Sequence, residues 1–149
     1  MEIRLAEEKD LPALAGIRGA DPVSERHWLE RISAYYHGTH HPQKALAPRV
    51  IFVAVEDEHI IGFVAGHRTK RYDCDGELQW IDVIPGYRGN GVATILIRCL
   101  FDWFRAEQAK RICVKCAPDN TVAMRFYQKN GAVALNDHWL IWEDIDLCL

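Results

Sequence analysis

Apolar residues recur along this chain with two periods, and each change of period marks a new element. The strongest signal is Val92, Ile95, Leu96, Cys99, Leu100, Trp103 and Phe104. That i, i+3, i+4, i+7 spacing predicts a helix with one buried stripe. Leu11, Leu14, Ala15 and Ile17 predict an earlier helix over residues 8–18. Gly19-Ala20-Asp21-Pro22 breaks it. Ser24 is then placed to cap a second helix carrying Trp28, Leu29, Ile32 and Tyr36, with Val23 positioned to staple onto Trp28. Residues 38–48 read as loop. Strands are expected over 1–5, 50–55 and 60–66, the last two joined as an antiparallel hairpin by the short polar stretch 56–59. Residues 69–76 predict a turn and 78–83 a strand. After the long helix, 111–116 reads as a strand, and Asn120 caps a helix that ends at Asn130-Gly131. Strands over 132–135 and 139–145 close the chain around Asn136-Asp137. The order is β-α-α-β-β-β-α-β-α-β-β. The strand–helix–strand unit in its second half predicts a parallel pairing of 78–83 with 111–116.

The stretch Glu77-Leu78-Gln79-Trp80-Ile81-Asp82-Val83-Ile84-Pro85-Gly86-Tyr87-Arg88-Gly89-Asn90-Gly91-Val92-Ala93 is a strand, a glycine-bearing turn and a helix start. Glycine reaches positive φ without penalty and lets backbone approach a ligand. The helix beyond presents its unpaired N–H groups and positive dipole end, a site for phosphate or pyrophosphate. It is not a dinucleotide fingerprint, because Thr94 stands where a third glycine is needed. No Gly-Lys-Ser/Thr occurs, which excludes a nucleoside-triphosphate loop.

Arg88-Gly89-Asn90-Gly91-Val92-Ala93 resembles the R/Q-x-x-G-x-G/A loop of the GNAT superfamily of acetyl-CoA-dependent N-acetyltransferases. The lead-in Val83-Ile84-Pro85-Gly86-Tyr87-Arg88-Gly89 resembles that family's V-x-P-x-Y-R-G. Downstream, Asn120, Ala123, Phe126-Tyr127 and Gly131 resemble its N-x-x-A-x-x-F-Y-x-x-x-G signature. The resemblance covers residues 50–145 well and the first fifty only loosely. Ala132 departs from it, standing where family members often carry Phe.

The resemblance implies a GNAT fold: an α/β, mixed central sheet with helices on both faces, formed by one domain over residues 1–149. Acetyl-CoA is then the co-substrate, and its pantetheine arm enters between two splayed parallel strands. Backbone N–H groups of Arg88, Gly89, Asn90, Gly91, Val92 and Ala93 would hold the pyrophosphate. Ile81 and Val83 would pair with the pantetheine amides, Val83 N–H would face the developing oxyanion, and Asn120 would hold the arm from the other side. Tyr127 matches the tyrosine that protonates the departing thiolate. Glu77, eleven residues before Arg88, stands where several members carry a base for the amine, with Asp82 as runner-up.

Composition narrows the partners. The chain has 149 residues, 49% of them apolar and 26% charged, with net charge −3. That is a globular composition without the basic balance of a nucleic-acid binder. No leader or membrane-length apolar run is seen, so a cytoplasmic location and no membrane partner are expected. Lys70-Arg71 reads as a solvated hairpin end. Cys74, Cys99, Cys113, Cys116 and Cys148 read as free thiols. Cys113-x-x-Cys116 falls on a strand, where positions three apart face opposite ways, and no metal is expected there or at His40-His41. Trp80, Trp103, Trp139 and Trp142 read as core. An acidic rim of Asp73, Asp75 and Glu77, faced by His138, Trp139, Tyr35 and Tyr36, would favour a cationic, partly apolar acceptor. The rim points to a small molecule or peptide as the acceptor, and the resemblance implies that its primary amine attacks the thioester directly. A non-catalytic acyl-CoA sensor is the competing function, a redox or metal protein a third, and a homodimer is left open.

Overall fold

The computed structural model describes residues 1–39 and 45–147. The elements are β1 (Glu2–Leu5), α1 (Leu11–Arg18), α2 (Pro22–Tyr36), β2 (Ala45–Glu56), β3 (His59–Thr69), β4 (Gly76–Val83), α3 (Val92–Ala106), β5 (Ile112–Lys115), α4 (Thr121–Lys129), β6 (Val133–Asn136) and β7 (Trp139–Trp142). This is the expected order. The strands form a seven-stranded sheet, β1-β2-β3-β4-β5-β7-β6. Neighbours run antiparallel except β4 and β5, the expected parallel pair.

Helices cover both faces. On one, the α3 stripe Leu96, Ile97, Leu100, Phe101 and Phe104 packs on Val64, Leu78 and Ile112, and α4 joins it through Tyr127. Each fully buried side chain of that stripe contributes about 1.5–3 kcal/mol. On the other face, Leu14 of α1 and Ile32 and Tyr35 of α2 pack on Phe63, Ala65 and Trp80. A smaller cluster under the last hairpin holds Cys74, Cys113, Trp139 and Ile141. Trp80, Trp139 and Trp142 are buried as expected, whereas Trp103 is only half-buried, packed edge-on to Phe104 on the α3 side of the sheet. Cys113 and Cys116 lie in different clusters, so the strand separates them. Among the described residues no helix is long and apolar enough to cross a membrane.

Several boundaries differ from expectation, each for a local reason. Asp21, not Ser24, caps α2: its carboxylate accepts the Ser24 N–H at 2.9 Å, and Pro22 takes the first helical position, where it needs no N–H. Val23 is left 76% exposed, so it staples nothing. β2 starts at Ala45 rather than beyond Pro48, because β3 runs on to Thr69 and pairs with it. α1 is preceded by a 3-10 turn, Glu8–Asp10, and β7 stops at Trp142 before another at Ile145–Leu147. Arg71 is no solvated hairpin end: its side chain is only 11% exposed. His40, His41 and Cys148 lie outside the described residues.

Candidate active site

The sheet is split. β4 and β5 are in register only at Gly76↔Ile112, Glu77↔Cys113 and Leu78↔Val114. Gln79 is the extra residue of a bulge, since Leu78 faces Gly66 while Trp80 faces Ala65. A bulge bends and twists its strand, and beyond it β4 leaves β5 and keeps only β3. The Ile84 N–H donates to the Ile61 carbonyl at 2.9 Å. Gly62↔Val83 and Val64↔Ile81 are therefore non-hydrogen-bonded pairs. The N–H and C=O groups of Ile81 and Val83 consequently point away from β3, into the split. A cleft of about 740 Å³ opens there, lined among others by Ile81, Asp82, Val83, Gly89, Gly91, Asn120 and Tyr127.

One end of the cleft is the turn into α3. Gly89 and Gly91 take φ of +83° and +81°, as glycine allows. Gly86 instead sits in a 3-10 turn, Pro85–Tyr87, without positive φ. Ile95 is the first residue to donate back into the helix, to Gly91 at 3.1 Å. No N–H from residue 89 to residue 94 has an acceptor among the described residues. That set differs from expectation at both ends. The Arg88 N–H turns back to Pro85 and its Nε donates to the Val83 carbonyl at 2.9 Å, whereas Thr94 joins Gly89, Asn90, Gly91, Val92 and Ala93. A Cβ on Gly89 or Gly91 would meet no protein atom within 4 Å. The space in front of the free N–H groups is therefore open and can admit a pyrophosphate at a helix N-terminus.

The opposite wall is α4. Asn120 caps it, its Oδ1 accepting the Ala123 N–H at 3.2 Å, which leaves the amide nitrogen for a ligand. Tyr127 lies one side on the core, edge-on to Trp142, and one side on the cleft. Its hydroxyl has no hydrogen-bond partner among the described residues. Burial above all, aided by Cys116 and Asp82, pushes the phenol well above its ordinary value. It is thus held as O–H, a proton donor.

The two candidate carboxylates are placed differently. Asp82 lines the cleft and accepts from Arg18 Nη1 at the end of α1. Burial raises its carboxyl above the usual range, although Arg18 and Arg88 oppose this. The Arg18 guanidinium lies 4.4 Å from the Trp28 ring and 5.7 Å from that of Trp80. Glu77 does not line the cleft. It is 5% exposed on the α1–α2 face of β4, at the level where β4 and β5 part. Its Oε1 accepts from Arg71 Nε at 3.0 Å and lies 3.7 Å from His67 Nε2. Arg71 in turn lies over Trp139 at 4.6 Å. His67 Nδ1 is 2.9 Å from the Tyr35 hydroxyl.

So Tyr35 and Trp139 do flank Glu77, through His67 and Arg71, but the acidic rim is not formed. The Asp75 carboxylate is turned to the start of β5, accepting the N–H groups of Lys110 at 2.9 Å and Arg111 at 3.1 Å. Tyr36 sits edge-on to His37 at the surface, and His138 is exposed. Arg18, His67, Arg71 and Thr94 escaped the sequence reading. His67 carried a signal: in β3 it shares the period-two face of Phe63 and Ala65, a polar side chain in a core position.

A sequence model described as the acetyltransferase (GNAT) family matches residues 20–132. It reaches further into the first fifty residues than the motifs do, and it stops before the last hairpin. N-alpha-acetyltransferase 30 of Schizosaccharomyces pombe is 29% identical over 86 residues, 56% of this chain and 57% of that protein. The chain thus matches little more than half the length of this curated relative. An aminoglycoside antibiotic 6'-N-acetyltransferase from Acinetobacter haemolyticus superposes with a TM-score of 0.73 at 21% identity, covering 91% of this chain and 93% of that one. The PaiA N-acetyltransferase of Thermoplasma acidophilum, solved in complex with coenzyme A, gives 0.70 at 15% identity, covering 95% and 98%. At these identities the two structures speak for the fold.

Proposed function

The chain belongs to the acetyltransferase (GNAT) family, and from that premise we propose that it transfers the acetyl group of acetyl-CoA to a primary amine of a small molecule or peptide, by direct attack with both substrates bound. The observation that carries this is the row of free N–H groups from residue 89 to residue 94 at the head of α3, opening on the β4–β5 split. A pyrophosphate fits that head, and the Ile81 N–H and C=O, turned away from β3, fit a pantetheine amide as a neighbouring strand would. The relatives' printed names put an amine nitrogen at the receiving end.

Each step of the transfer then has a residue. The Val83 N–H, aimed into the split, donates to the oxygen where negative charge develops. Its carbonyl is taken by Arg88 Nε, which stiffens the turn. Tyr127 gives its phenolic proton to the departing thiolate. The amine, protonated with a pKa near ~10.4, must first lose a proton. Glu77 takes it. It sits between α2 and β7, the elements that can wall an acceptor, at the start of the split. Asp82 is the second reading, favoured by its place on the cleft and its raised carboxyl. Against it, Arg18 holds that carboxylate and Arg88 stands near.

Purified protein with acetyl-CoA should release free thiol over a panel of primary amines, with one acetylated amine formed per thiol. Thiol release that no amine accelerates, alongside tight acetyl-CoA binding, would instead favour a sensor. Among variants, Glu77→Gln should remove the acidic limb of the kcat/KM profile. If Asp82→Asn removes it instead, the roles reverse.

A further inference from the structure

A polar row crosses the sheet beneath the α1–α2 face. Arg49, His67, Glu77 and Cys113 are successive register partners on β2, β3, β4 and β5. Arg71 reaches Glu77 from the turn before β4, and Tyr35 reaches His67 from α2. Arg49 belongs to the same group, its guanidinium 5.1 Å from the Tyr35 ring. His67 is the fully buried centre of this row, at 0% exposure. Its Nε2 has no hydrogen-bond partner among the described residues. A buried polar group without a partner costs stability, so packing alone is a poor reason for a histidine here.

The proton on the ring can be placed. Burial pushes the Tyr35 phenol well above its ordinary value, so Tyr35 is a hydroxyl able to donate. If it donates to Nδ1, the ring carries its proton on Nε2, facing Glu77 Oε1 at 3.7 Å. The other tautomer would point an Nε2 lone pair at a carboxylate oxygen, which is repulsive. The Tyr35 bond therefore selects the Nε2–H form. At 3.7 Å this N–H is beyond a hydrogen bond, whereas Arg71 holds the same oxygen at 3.0 Å. Arg71 is the partner nearer solvent, 11% exposed. An amine approaching Glu77 from that side competes with Arg71 for the oxygen. A carboxylate shift of about 1 Å toward β3 then brings it onto the His67 N–H.

We propose that His67 is a positioning residue for the transfer: locked by Tyr35, its Nε2–H is the reserve donor that keeps the Glu77 carboxylate ionised and aimed while the acceptor amine displaces Arg71. The inference rests on Glu77 being the proton acceptor. With its proton already on Nε2, His67 takes no proton from Glu77. It acts as a fixed dipole.

The test uses the full chain, acetyl-CoA and an amine that it acetylates, with kcat followed from pH 5 to 9, because the kcat profile reports the complex in which the amine has displaced Arg71. His67→Leu removes the donor and should move the acidic limb up by roughly one pH unit, with kcat lower by about tenfold. His67→Gln, whose amide nitrogen reaches the place of Nε2, should return the limb to its wild-type position. Tyr35→Phe should move the limb the same way as His67→Leu. An unmoved limb in His67→Leu, beside Glu77→Gln erasing it, would overturn the inference and leave the base reading intact. A limb that survives Glu77→Gln defeats the base reading and this inference with it. Nitrogen NMR of wild-type protein labelled at histidine needs no variant: a proton on Nε2 of His67 supports the inference, and a proton on Nδ1 overturns it.

Discussion

Tyr127 borders both the core and the cleft, and it does so with different atoms. Its ring packs on Trp142 at a centroid distance of 5.8 Å, while its hydroxyl side meets the cleft. Tyr127→Phe keeps the ring and removes the donor. With the proposed role, kcat should fall on the order of 10²-fold while the acetyl-CoA dissociation constant stays near wild type. Wild-type turnover in that variant would leave only the packing role. Because burial raises the phenol, loss of its proton should not limit the rate below pH ~10. Tyr127, Asn120 and Gly91 were legible in the sequence because each belongs to a motif whose spacing is local. Arg18, His67 and Arg71 were not, because their contacts depend on partners distant in sequence: Asp82 of β4 meets Arg18 only once α1 docks on the sheet, and Tyr35 meets His67 only once α2 docks on β3.

At the scale of elements, periodicity succeeded where one face is buried and failed where pairing decides. The α3 stripe was readable as a face, with Val92, Leu96, Leu100 and Phe104 buried on the sheet, but it lies turned toward Ile97 and Phe101, which are fully buried, and leaves Ile95 40% exposed. The start of β2 was hidden by Pro48, which argues locally for loop, while the length of β3 settles the pairing. Two glycines at the ends of this machinery carry opposite expectations. At Gly76 a Cβ would lie 2.4 Å from Phe104 Cε1, deep in the core. Gly76→Ala should therefore destabilise the fold by about 1–3 kcal/mol through overpacking, read as a lower denaturant midpoint at unchanged slope. Gly91 faces open space, so Gly91→Glu meets only the strain of its left-handed φ of +81°, about 1–2 kcal/mol. It does place a negative side chain where the pyrophosphate should sit. Acetyl-CoA at a hundredfold excess over its dissociation constant should stabilise the wild type by about 2.7 kcal/mol. The same ligand should barely move the variant's melting temperature. The comparison is between ligand-induced shifts, because the variant's own melting point starts lower. A full ligand shift in Gly91→Glu would take the pyrophosphate away from this turn.

For the whole molecule, the order of elements was legible and the acceptor side was not. Eleven elements in sequence give the topology, because each switch of period is visible along the chain. The proposed acceptor side brings together the turn before β4, which meets the β6–β7 hairpin where Tyr72 and Arg71 lie against Trp139, and α2, whose Tyr35 reaches His67. The supposed rim of Asp73, Asp75 and Glu77 dissolves in three dimensions, with Asp75 on the backbone before β5 and Glu77 under Arg71. What the assembled fold adds is a sheet held together at its centre by only three register pairs between β4 and β5. If acetyl-CoA lies along β4 as a strand would, it extends that join, and backbone amides report it. The N–H groups of Ile81 and Val83 face the split, whereas the register gives those of Asp82 and Ile84 to β3, the latter at 2.9 Å from Ile61. In hydrogen exchange on the free protein, Ile81 and Val83 should exchange well ahead of their neighbours Asp82 and Ile84. Acetyl-CoA should slow Ile81 and Val83 selectively, by at least about tenfold more than the other two, because a hydrogen bond made only to ligand is broken only by local opening or release. Uniform slowing of all four amides would mean that the ligand stabilises the fold from elsewhere, and the strand-like seat on β4 would be lost with it.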